Sequence, residues 1–148
     1  MSHTPNKETQ RGFSLVELLI VVAIIGIIAA IAILYMNQAK QAVRSASAMN
    51  SLRVISTGQN SYRATRGEYG DLAELGAAGY LTDENLAAGE KAFYTFVVTP
   101  GADPSLGYTA SATPVQSTAV ERHFFINETG ILRVAVGAAA TSNSPPVD

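Results

Sequence analysis

The chain has 148 residues, no cysteine and a net charge of −2. Without cysteine it has no disulfide, no iron–sulfur cluster and no thiolate zinc site, and its near-neutral balance offers no polyanion-binding surface, so no nucleic-acid partner is expected. Charged residues make up only 15% of the chain, because one segment is almost wholly apolar. Beyond that segment the length suits one small domain.

Residues 1–12 (MSHTPNKETQRG) are polar and lack apolar periodicity. They read as a flexible leader, and His3 has no expected role. From Phe13 the character changes. Between Leu18 and Leu34 no side chain is polar, and twelve are Leu, Ile or Val. At roughly −0.3 to −0.6 kcal/mol each, these twelve favour membrane insertion by about −4 to −7 kcal/mol. Glu17 opposes this by roughly 2.5–3.5 kcal/mol at mid-bilayer, and by less near a helix end. Insertion wins, and residues 13–36 are long enough to cross about 30 Å of hydrocarbon as one helix. A cleaved secretory signal has a shorter apolar core, about 7–15 residues. Lys7 and Arg11 before the span predict a cytoplasmic N-terminus and a single pass. Ala23, Gly26 and Ala30 are small residues at spacings that allow close helix–helix approach in lipid.

Residues 37–66 extend the helix as an amphipathic continuation. Ala39, Ala42, Val43, Ala46, Met49, Leu52, Ile55 and Tyr62 recur at threes and fours, predicting a core-facing stripe with Lys40, Arg44, Arg53 and Arg63 solvated opposite. Gly58 is expected to weaken the helix end. Residues 67–90 form a connector. Asp71 and Glu74 have capping-box spacing, Thr82 or Asp83 suits a second cap, and Gly76, Gly79 and Gly89 are stops. Residues 91–136 read as antiparallel sheet: FYTFVVT, then GYTASAT, then RHFFI and ILRVAV joined by a turn containing Gly130. His123 is expected on a sheet face. Residues 137–148, small, polar and proline-bearing, read as a flexible tail. The fold class is α+β: a long N-terminal helix, membrane-spanning in its first half, packed on a small C-terminal antiparallel sheet.

The stretch GFSLVELLIVVAIIGIIAAIAI, with glycine before phenylalanine, glutamate four residues on and an unbroken apolar run, resembles the N-terminus of type IV pilins and of their relatives, the pseudopilins of type II secretion. GEYGDLAELGAAGYL and ERHFFINETGILR also resemble segments of pilin-like proteins. The resemblance implies the pilin fold, cleavage between Gly12 and Phe13 by a prepilin peptidase, and methylation of Phe13 by the same enzyme. It implies a structural subunit, not an enzyme, that leaves the bacterial inner membrane for a helical, extracellular homo-oligomeric filament driven by an assembly platform and a motor ATPase. Glu17 then pairs with the Phe13 amine of a neighbouring copy, and Ala23, Gly26 and Ala30 pack between helices. Two departures stand out. The chain lacks the C-terminal disulfide of many pilins, and Leu34 stands where many have a helix-loosening proline. Type II secretion is the alternative, but its major pseudopilins usually bind calcium, and Asp103, Glu121 and Glu128 form no close acidic cluster in the sequence. A monomeric membrane-anchored binding domain is a third possibility. No phosphate-binding glycine loop or Ser/His/Asp set is evident, so no catalytic residue, cofactor or metal is expected.

Overall fold

A computed structural model of the chain describes residues 12–116 and 120–147. The expected leader and its Lys7 and Arg11 lie almost wholly outside them. The chain divides into two compact units, Met1–Ala39 and Lys40–Asp148. Helix α1 (Leu15–Arg66) is unbroken through Gly26, Leu34 and Gly58. It starts two residues later than Phe13. The Leu18 N–H bonds to the Ser14 carbonyl at 3.1 Å, closing the first turn and leaving 12–14 outside the helix.

Within the second unit, α2 (Leu72–Ala77) and α3 (Glu84–Ala87) precede a five-stranded antiparallel sheet: β1 (Glu90–Lys91), β2 (Tyr94–Pro100), β3 (Tyr108–Pro114), β4 (Arg122–Asn127) and β5 (Arg133–Val136). Spatial order equals chain order, so every connection is local. Strands β2 and β3 alternate buried and exposed residues, as expected for a sheet with one covered face. On the covered face Ala112 lies between Phe96 and Phe124, and Ala110 between Val98 and Ile126. This large–small–large arrangement leaves a shallow trough along β3, where the fully buried Leu52 and Ile55 of α1 complete the core.

The contact stripe of α1 departs from the sequence reading. Leu52, Ile55 and Tyr62 are buried, but Ala42, Val43 and Ala46 are exposed, Val43 by 70%. Their expected places are taken by Ser45, Ala48, Ser51, Gly58 and Gln59. Close approach of helix to sheet and loop selects small side chains over apolar ones. An added Cβ at Gly58 would stand 3.0 Å from Leu75 and 3.4 Å from the Tyr80 carbonyl. Gly58 therefore gives α2 and its following turn room to sit against α1, and the helix continues beyond it.

The connector follows its predicted caps. Asp71 and Glu74 make both bonds of the capping box, each at 2.8 Å. Asp83 caps α3 through the Leu86 N–H and pairs with Lys91 at 2.7 Å. The Lys91 hydrogen bond, with the Leu86 N–H, holds the Asp83 carboxyl below its usual range. Gly76 is not a stop. It lies inside α2, where a Cβ would come within 2.9 Å of Ala87, and the chain turns at Gly79, which takes positive φ.

Part of the expected flexible tail, 144–147, is instead docked beside β5, while Asp148 lies outside the described residues. The Val134 N–H bonds to the Pro145 carbonyl, the Val147 N–H to the Leu132 carbonyl, and the Arg133 guanidinium donates to the Ser144 carbonyl at 2.8 Å. These bonds use backbone groups, which side-chain polarity does not reveal, and neither needs a proline N–H.

The most consequential polar residue of the core is Gln59, fully buried. Its amide donates to the Gly70 carbonyl and accepts from the Gly70 N–H at 3.1 Å. Gln59→Ala leaves both buried backbone groups of Gly70 without a partner. It should lower stability by about 2–4 kcal/mol, read as a fall in urea midpoint by near-ultraviolet circular dichroism of the full chain in micelles. Gln59→Glu, which sets a buried carboxylate against the Gly70 carbonyl, should destabilise at least as much at neutral pH.

Candidate functional site: the N-terminal processing and assembly segment

Gly12, Phe13 and Ser14 run as non-helical, exposed chain ahead of α1. Phe13 is 80% exposed. Glu17 lies in the first turn, where unpaired backbone N–H groups favour a carboxylate. Among the described residues Glu17 has no ion-pair partner. Because Phe13 precedes the helix, helical spacing does not stack it over Glu17.

From Gly12 to Ala39 every residue is exposed. One helix among the described residues is long and apolar enough to cross a membrane, and none of its apolar window is buried in the chain. Ala23, Gly26 and Ala30 share one side of it by their three- and four-residue spacing. A Cβ added at Gly26 meets nothing within 4 Å, so no contact within the chain requires a glycine there.

The acids weighed as metal ligands sit in separate local settings. The Asp103 carboxylate accepts from the Ser105 hydroxyl at 2.6 Å and its N–H at 3.0 Å, bonds that hold its pKa below the usual value. Glu128 lies against Gly107, and Glu121 lines a cavity beside α1. Among the described residues no three metal-ligating side chains gather. His123 is buried on β4. One cluster had no legible signal in the sequence: Arg44 lies over the Phe93 ring at 3.9 Å, because Ala92 and Phe93 both adopt positive φ.

Residues 8–33 match a family model described as the prokaryotic N-terminal methylation motif, the type IV pilin and prepilin signature. The chain therefore carries a prepilin-type methylation motif at its N-terminus, followed by an α+β domain. No curated protein matches the chain, and no solved structure matches it.

Since Gly26 has open space around it, Gly26→Ala should preserve helicity in micelles or raise it, with a propensity gain of about 1 kcal/mol. Far-ultraviolet circular dichroism of the full chain checks this; a loss of helicity would mean that the glycine serves the isolated helix.

Proposed function

We propose that the chain is the precursor of a type IV pilus subunit, a structural protein whose work is assembly. The observation that carries the reading is the coincidence, within residues 8–33, of the methylation motif with an apolar helical surface that its own chain leaves uncovered. In the bilayer, lipid covers that surface. On extraction, burial against helices of other copies replaces the lipid, and the hydrophobic effect drives polymerisation. An assembly platform and a motor ATPase would supply the extraction, and the filament would lie outside the cell.

The processing step follows from position. Prepilin peptidase would hydrolyse the Gly12–Phe13 bond, which lies in exposed, non-helical chain accessible to a protease. Cleavage frees an α-amine on Phe13, which the same enzyme would methylate. That amine and Glu17 would then be opposite charges carried into an apolar environment, where neither is tolerated alone. Pairing the amine of one copy with Glu17 of the next sets register. Leaving one partner unpaired costs about 3–5 kcal/mol. Ala23, Gly26 and Ala30 supply the low side along which neighbouring helices approach.

Mass spectrometry of filaments sheared from cells should find a chain beginning at N-methyl Phe13. The same processed chain confined to membranes would favour the type II secretion alternative. An uncut form would remove the pilin reading.

Glu17→Ala should insert and be cut normally yet yield few or no filaments, a defect of about 3–5 kcal/mol per added copy. Abundant filaments from this variant would refute the charge-pair register. Gly12→Val should retain the leader, visible as the unprocessed mass.

A further inference from the structure

The turn between β1 and β2 is built against its own sequence. Lys91 pairs with Tyr94, so Ala92 and Phe93 form a two-residue hairpin loop. Their φ values are 51° and 67°. This is the conformation in which hairpins favour Asn-Gly, and for residues with side chains it costs roughly 1–2 kcal/mol each. The strain holds a large aromatic ring at the surface. Phe93 remains 65% exposed although Arg44 covers it at 3.9 Å. The Phe93 carbonyl is fixed by the Val115 N–H at 2.9 Å.

Phe93 borders two cavities, of about 280 and 340 Å³, which also share Tyr94 and Val115. Gln41, Arg44 and Glu121 line the first. Asn85, Glu90 and Lys91 line the second. Each cavity thus has an amide, a cation and a carboxylate beside the same ring, the cation of the second, Lys91, being already paired with Asp83. Stacking occupies the flat face of the Arg44 guanidinium and leaves its N–H donors in the plane. Among the described residues neither those donors nor the Gln41 amide has a hydrogen-bond partner.

From this arrangement we infer that the paired cavities across Phe93 bind a neutral saccharide. A charged ligand would meet a like charge in each cavity, whereas a polyhydroxylated ring meets none. Hydroxyl groups both donate and accept, so they match amide, guanidinium and carboxylate together. The negative face of the Phe93 ring opposite Arg44 attracts the C–H face of a pyranose. One volume lies just below and the other just inside the range of small-molecule sites, roughly 300–1,000 Å³, so the two cavities together suit a short oligosaccharide lying across Phe93. This surface includes Gln41 and Arg44 of α1 but none of the apolar residues 13–36, and it does not depend on the pilus reading.

Saturation-transfer NMR tests the inference on the full chain in lauryldimethylamine oxide, a detergent without sugar. The probes are glucose, galactose, N-acetylglucosamine, N-acetylgalactosamine and their β-1,4-linked disaccharides at millimolar concentration. Transfer to ring C–H protons of at least one sugar is expected. Phe93→Gly, which suits the positive φ, should keep or raise the melting temperature while abolishing transfer. Gln41→Ala, which leaves the turn untouched, should weaken binding roughly tenfold. No transfer from any probe, or transfer undiminished in both variants, overturns the proposal.

Discussion

Among the described residues none covers the apolar surface of residues 13–36, and every other feature has to accommodate that. Such a surface cannot remain in water. It demands lipid or another apolar surface, and the methylation motif begins ahead of it. The rest of the chain must meanwhile fold without drawing on those side chains. The second unit has its own core, in which Leu52 and Ile55 of α1 meet Phe96, Phe124 and Ile126 of the sheet.

That core is small and is keyed by polar groups as much as filled by apolar ones. Gln59 grips both backbone groups of Gly70. The Tyr94 hydroxyl donates to the Arg122 carbonyl at 2.9 Å and lies 3.5 Å from the Ser45 hydroxyl, and burial raises its pKa. Buried hydrogen bonds of this kind add little net stability when made, but leaving one unmade is expensive. They therefore select one placement of helix, connector and strand over neighbouring alternatives. The absence of a disulfide is consistent with this scheme, because the C-terminal segment is fastened to β5 by backbone pairing.

Much of this was legible in the sequence for identifiable reasons. The membrane-type helix announces itself by length and apolarity. Asp71 with Glu74, and Asp83 alone, foretold helix starts because capping is a local interaction between residues three apart. The strands followed aromatic and β-branched runs. What the sequence concealed was tertiary. Hydrophobic periodicity favoured Ala42, Val43 and Ala46 for the core stripe, but proximity to sheet and loop put Ser45, Ser51 and Gln59 there. The docking of 144–147 rests on main-chain bonds that any residues can make. The positive φ of Ala92 and Phe93 contradicts their ordinary preferences, so no propensity argument could find the stacked Arg44. The N-terminal segment was the opposite case: Gly12, Phe13 and Glu17 carry their signal in linear order, and the matched motif spans them.

The margins of the sheet carry a further consequence. At one side β1 is only two residues long, and at the other β5 is covered by a strip bearing Pro145 and Pro146. Exposed strand borders are templates on which other chains add by main-chain pairing. On one side β1 covers only Tyr94 and Thr95 of β2, whereas on the other a segment with two missing N–H donors is bridged to Arg133 of β5. Copies of this protein crowded at high local concentration therefore have little opportunity to zip together along β5. A fibre built through the helical surfaces, as proposed above, is thereby kept apart from an amyloid-like one along that border.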